Sequence, residues 1–175
     1  MSRKEKILKE ALKLFSEQGF SATSTKVIAE KAKVSEALIF KHFGKKDALL
    51  SYIIRAGYRR ILMNHKGMLT YNGPRDFLLK MIYLPNKLVS DEPLFWKLQE
   101  RLSHHPFARS QHEQFIKPVQ PIVLRAFKEL NFQDPERETE FLLLIIDMLW
   151  KREASGEIKN SLDYATLLEE KYKLN

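Results

Sequence analysis

The stretch from Thr25 to Phe43, TKVIAEKAKVSEALIFKHF, sets the tightest limit on what this chain can fold into. Val27, Ile28, Ala29 and Ala32 mark a helix of about two turns. Lys33 and Val34 make a tight turn, and Ser35 opens a further helix through His42. Ile28, Ala29, Val34, Ile39 and Phe43 then close a small core. Ala29 and Ala32 are small enough for close helix approach, and Val34 plugs the turn. This is helix-turn-helix spacing. The outward face of the second helix is Glu36, Ala37, Leu38, Lys41 and His42, whose cations suit phosphates and whose apolar members suit thymine methyls.

The flanking sequence extends the pattern. Ser2 to Gln18 is amphipathic, with Ile7, Leu8, Ala11, Leu14 and Phe15 on one face, and Gly19 stops it. The hydroxyls between Ser21 and Thr25 supply an N-cap for the next helix, and Gly44 ends the third. A longer helix starts near Lys46, carries Leu49, Ile53, Ile54, Tyr58 and Ile61, and fades at His65-Lys66-Gly67. Helical patterns follow over approximately 75–90, 92–104, 111–130 and 135–154, with a last one over 162–173. Pro85, Pro118 and Pro121 fall inside them, where kinks or breaks are expected and space between helices can open. Nothing asks for a strand, so the expected fold is all-α. Residues 1–46 form a helix-turn-helix domain and residues 47–175 a helical second domain.

Charge separates the same two parts. Residues 1–60 hold 14 Lys and Arg against 6 Asp and Glu, and residues 61–175 hold 16 of each, so the whole net charge of +8 lies in the first third. An anionic partner for that third is implied, with a phosphate backbone the commonest, and membrane-surface binding or plain solubility the other readings. Arg3, Lys4, Lys6 and Lys9 read either as an arm toward DNA or as a solvated face. The chain has no cysteine, which removes disulfides, thiolate metal sites and cysteine nucleophiles. The N-terminus lacks a signal-peptide core and no apolar run reaches spanning length, so a soluble cytoplasmic protein without a membrane partner is expected.

The first fifty residues resemble the N-terminal domain of the TetR (tetracycline repressor) family of transcriptional regulators. The resemblance is carried by Ile7-Leu8, Ala11, Leu14-Phe15, Gly19-Phe20, Thr23-Ser24, Ile28-Ala29, Ala32, Val34-Ser35, Phe40, Phe43 and Lys46-Asp47-Ala48-Leu49-Leu50. The family usually has Gly at the positions of Lys33 and Ala37, and Tyr at that of Phe40. A positive φ at Lys33 would be strained, and Phe40 lacks a hydroxyl for a phosphate. Glu36 repels phosphates unless it accepts from a cytosine amino group or lies at the helix edge. The resemblance implies a homodimeric, ligand-responsive repressor on a palindromic double-stranded DNA operator, with a small-molecule effector in the helical domain. The DNA-contacting residues would be Thr23, Ser24, Thr25, Lys26, Ser35, Glu36, Ala37, Leu38, Phe40, Lys41, His42, Lys45 and Lys46. The apolar run Phe141 to Trp150 and the amphipathic Leu162 to Leu174 would pair across the two-fold axis.

Trp96, Arg101, His105, Phe107 and Phe115 are candidates for a mostly apolar pocket with polar anchors, with core packing the plainer reading. Glu100 and His104 stand at i, i+4, without a third ligand or an HExxH pattern, so no metal and no cofactor is expected. No catalytic polar cluster appears, and an enzyme is not expected. The rival readings are a helical carrier or enzyme whose basic N-terminus binds a protein or membrane, and an architectural DNA binder without sequence preference.

Overall fold

The computed structural model describes residues 1–174, and among the described residues the regular structure is helical, without strands. The helices are α1 (Arg3–Gln18), α2 (Thr25–Ala32), α3 (Glu36–Phe43), α4 (Lys46–Asn64), α5 (Pro74–Asp91), α6 (Pro93–Arg101), α7 (Pro106–Ile116), α8 (Val119–Glu129), α9 (Pro135–Ser155) and α10 (Leu162–Lys171). None of the described helices is long and apolar enough to cross a membrane.

Local chemistry fixes most of these ends. Ser2 and Glu5 form a reciprocal capping box on α1, with Glu5 N–H donating to Ser2 Oγ at 3.2 Å and Ser2 N–H to Glu5 Oε2 at 2.6 Å. The Ser24 hydroxyl accepts from Val27 N–H at 3.2 Å and caps α2. Lys33 ends α2 in the left-handed region at φ 54°, its N–H meeting the carbonyls of Ala29 and Glu30. Ser35 occupies the N-cap position of α3, but its hydroxyl makes no capping bond, contrary to the expected cap.

Proline punctuates the second half. Pro74, Pro93, Pro106 and Pro135 each stand at the opening of a helix, where a missing N–H costs nothing. The single helix expected over 111–130 is instead α7 and α8, divided at Lys117 and Pro118. Pro118 has no N–H to continue the ladder and its ring crowds the preceding turn. Pro121 falls in the first turn of α8, where N–H groups have no intrahelical acceptor, so it causes no break. Pro85 lies inside α5 without ending it.

The apolar faces these helices share make two clusters. One runs from Ile7 and Phe15 of α1 through Ile28, Ile39, Ile54 and Tyr58 to Phe95, Trp96 and Trp150. It includes the expected helix-turn-helix core of Ile28, Ala29, Ile39 and Phe43, with Val34 packed against it half-buried. The other joins α5, α8, α9 and α10 through Phe77, Ile82, Phe127, Leu142 and Leu168. The first cluster is continuous because α1 packs on α6 as well as on α2 and α4.

One close approach in this core is at Gly57, near the middle of α4. A Cβ there would lie 2.0 Å from Cε2 of the fully buried Phe95 ring, so α6 rests on the backbone of α4. Gly57→Ala should therefore destabilise the fold by about 1–3 kcal/mol through overpacking, even though alanine in an open helix gains roughly 1 kcal/mol over glycine. Lys33→Gly should act oppositely and stabilise by up to about 1 kcal/mol, because the left-handed conformation is unstrained for glycine. Urea denaturation of both variants checks the two signs.

Candidate nucleic-acid interface and internal cavity

α3 presents one open row. Ala37, Lys41 and His42 are exposed, and the Phe40 ring is 46% exposed despite being apolar. Ser35 at one end and Lys45 at the other extend the row, and Ser24 and Lys26 at the start of α2 are also exposed. The last turn of α3 carries Lys41 and His42. An apolar strip between cations and hydroxyls can place methyl and sugar contacts at its centre and phosphate contacts at its edges.

Five of the expected contact residues, Thr23, Thr25, Glu36, Leu38 and Lys46, are engaged inside the protein. Thr23 is buried and its hydroxyl donates to Gly19 O at 2.8 Å, so its side chain has no donor left for a phosphate. Thr25 donates to Glu36 Oε1 at 2.5 Å, which ties the start of α2 to the start of α3 and draws the Glu36 carboxylate to that side. Leu38, expected on the outer face, is half-buried against the first core cluster. Lys46 Nζ donates to Phe20 O and Thr23 O, each at 2.9 Å, and sits 4.4 Å over the Phe20 ring. It clamps the α1–α2 loop to α4. Lys4 is likewise engaged, 4.4 Å over the Tyr52 ring, rather than reaching out as an arm.

A second feature lies between the helices of the C-terminal part. An apolar cavity of about 60 Å³ is walled by Met81, Leu84 and Pro85 of α5, Trp96 of α6 and Phe115 of α7. It shares His112, Leu143, Asp147 and Trp150 with a solvent-open cleft of about 980 Å³. Of the five pocket candidates, Trp96 and Phe115 line this cavity. Arg101, His105 and Phe107 do not. Arg101 is exposed at the end of α6, His105 precedes α7 with its ring 6.0 Å from that of Phe20, and Phe107 lies 5.3 Å beneath the Arg55 guanidinium. Because α7 begins at Pro106, its inward register is Ala108, His112 and Phe115.

A chain of polar groups that reaches this cavity at His112 and Asp147 crosses four helices. Tyr58 OH of α4 donates to Gln99 Oε1 of α6 at 3.2 Å and faces His112 Nδ1 of α7 at 3.0 Å. His112 Nε2 faces Asp147 Oδ1 of α9 at 3.3 Å. Asp147 also accepts from Trp150 Nε1 at 3.0 Å and Lys151 Nζ at 2.5 Å. Burial raises the Asp147 carboxyl, but hydrogen bonds and charge from His112 and Lys151 outweigh it and hold the group down at about 2. Burial pushes the Tyr58 hydroxyl up, with the Asp147 charge adding to it, so it stays a neutral donor. The sequence reading missed these residues. The one signal available was Asp147, a lone carboxylate in the apolar run Phe141 to Trp150. Among the described residues no group of three His, Cys, Asp or Glu side chains converges as a metal site would.

Comparison with known proteins accords with this geometry. Residues 7–53 match the family described as bacterial regulatory proteins, tetR family. HTH-type transcriptional regulator HbdR of Aromatoleum sp. (strain CIB) is 50% identical over 48 residues, 27% of this chain and 21% of that protein. HTH-type transcriptional repressor Rv3405c of Mycobacterium tuberculosis is 46% identical over 48 residues, 27% of this chain and 26% of that protein. The chain thus spans about a quarter of the length of these relatives. A TetR-like transcriptional regulator from Rhodococcus sp. RHA1 superposes with a TM-score of 0.79 at 24% identity, over 95% of this chain and 91% of that one. A TetR transcription regulator from Haloarcula marismortui gives 0.74 at 19% identity, over 97% and 95% of the two chains. The N-terminal helices, over residues 7–53, thus match the tetR family of bacterial regulatory proteins in sequence, and the whole length shares the fold of TetR-like regulators.

Proposed function

We propose that this protein is a homodimeric transcriptional repressor that binds a palindromic operator through α3 and releases it when a small molecule enters the C-terminal cavity. The observation that carries the DNA-binding part is the exposed row Ala37, Phe40 and Lys41, flanked by Ser35 and Lys45, in the part of the chain that holds all the excess positive charge. In this reading α3 enters the major groove, Ala37 and Phe40 make apolar base-edge contacts, and Ser24, Lys26, Ser35, Lys41 and Lys45 hold phosphates. Repression is the role that the name of the Mycobacterium tuberculosis relative states for that protein.

Residues 1–46 serve as the reading part and residues 47–175 as the effector and dimerisation part. Dimerisation is supported by α9 and α10, which bury Leu142, Leu149 and Leu168 inward and leave an apolar stripe outward. On that stripe Leu144 is 69% and Leu167 62% exposed, and Phe141, Met148 and Tyr164 are also exposed. A contiguous apolar face of this kind is stable in water when another surface covers it. A second copy does so with two-fold symmetry, which also pairs the two α3 helices about one DNA turn apart, roughly 34–36 Å. Cavity and reading head communicate through α4, which carries Lys46 at its start and Tyr58 just past its middle. A ligand shifts that helix only by binding one of its positions better than the other.

Selection from a pool of random duplexes should yield a two-fold symmetric consensus. On that duplex, Lys41→Ala with Lys45→Ala should lower the slope of log affinity against log salt by roughly 1 per phosphate contact removed. Lys46→Ala should instead lower stability by about 1–2 kcal/mol through its lost carbonyl contacts. An unchanged slope in the double variant disproves the phosphate assignment. Leu144→Glu with Leu167→Glu should convert a dimer to a folded monomer in sedimentation equilibrium, with operator affinity falling by at least about tenfold.

A further inference from the structure

We propose that Arg3 and Lys33 hold the phosphate backbone of the bound duplex on the flank of α3 opposite to Lys26, so that each reading head grips both strands bordering the groove it enters. This rests on the reading of α3 as the helix that enters the major groove, and adds a second phosphate-binding surface beside it. The surface is a solvent-open groove of about 500 Å³ between the start of α1 and the turn that joins α2 to α3. Arg3, Glu30, Lys33 and Ser35 supply its polar lining, and Leu38 lines it as well.

The side of α3 on which this groove lies follows from the helix itself. The Thr25 hydroxyl draws Glu36 toward the start of α2, where Ser24 and Lys26 are exposed. Leu38 stands two residues further on, about 200° round a helix of 3.6 residues per turn, and so on the other flank. Ala37 of the reading row lies between the two. Ser35 belongs to both row and groove, which makes the surfaces continuous. A helix in the major groove has a backbone on either side of it, roughly 12 Å apart, so charge on both flanks meets phosphate.

Arg3 and Lys33 are exposed, and among the described residues neither is in an ion pair. Their backbones are nevertheless fixed. Arg3 is the first residue of α1, whose opening turn is locked by the Ser2 and Glu5 capping box, so it does not sit on a free arm. Lys33 closes α2 with its N–H on the carbonyls of Ala29 and Glu30. Its φ of 54° strains any residue with a Cβ, and glycine would be free of that strain. A long cation at a strained position, bordering the row that faces DNA, points to a use for the cation. Glu30 sets one carboxylate against the two cations and leaves the groove positive. A guanidinium meets a phosphate through paired N–H groups and an ammonium as a point charge.

The test uses the full-length chain and the selected duplex, with binding read over a salt series. Arg3→Ala with Lys33→Gly should lower the slope of log affinity against log salt by roughly 1–2 and weaken binding at least about tenfold at about 0.1 M salt. Preference for the selected duplex over a scrambled one should hold within about twofold, because phosphate contacts carry no sequence information. Lys33→Gly alone should bind more weakly while its urea midpoint rises, a pair of signs that damage to the fold does not produce. Lys33→Arg should keep the slope, and Glu30→Gln should tighten binding. Arg137→Ala, which removes an exposed cation at the opening of α9, is the control. An unchanged slope in the double variant, an equal loss in the control, or weaker binding by Glu30→Gln overturns the proposal. The Lys41 and Lys45 double variant separates it from the reading it rests on. A slope that falls there but not with Arg3 and Lys33 sinks the groove alone, and the reverse sinks the phosphate role of Lys41 and Lys45 alone. A chain that binds no duplex sinks both.

Discussion

The contact between Phe95 and the bare backbone at Gly57 ties the two ends of this molecule together. It brings α6 onto α4 at a separation that no side chain at position 57 would permit. The neighbouring residues are thereby placed as well: Tyr58 reaches Gln99 and His112, and Trp96 turns into the cavity wall. Since protein interiors are packed as densely as organic crystals, a displacement of α6 is felt by the helices it packs on, α1, α5 and α9, and through the Phe95 ring by α4.

At its other end α4 is held by buried Leu49, Leu50 and Ile53 and by one cation. Lys46 holds the loop between α1 and α2 through two carbonyls, while the hydroxyl of Thr25 holds α3 through Glu36. These two attachments orient α3 relative to α4. The helix-turn-helix is therefore not a loosely tethered head, and its core continues through α1 into α6 and the tryptophans of the cavity. A rigid train of this kind transmits small changes, provided that two arrangements of nearly equal energy exist for it to move between.

The first four helices were legible in the sequence because their limits are local. Ser2, Gly19, Ser24 and Gly44 act within one helical turn of themselves, and the apolar spacing between them has one helical solution. The division at Pro118 was less readable, since the apolar period runs across the break and masks it. The polar chain from Gln99 to Asp147 was not readable at all. Its members come from α4, α6, α7 and α9, and which of their faces meet depends on the starting register of α7, which Pro106 sets. Thr23 and Lys46 show the converse error. Residue type suited them to phosphates, but backbone carbonyls within reach claimed each one first.

Lys46 also changes how the chemistry of the N-terminal third should be weighed. Its charge counts toward the total of +8, yet its ammonium is held by two carbonyls and is not free to close on a phosphate. Lys4 over its tyrosine is partly withdrawn in the same way. Composition therefore overstates the reach of this surface. A lysine at position 46 is kept by the loop it holds, and the freedom to tune nucleic-acid affinity by gaining or losing charge falls to outward positions such as Lys26, Lys41 and Lys45.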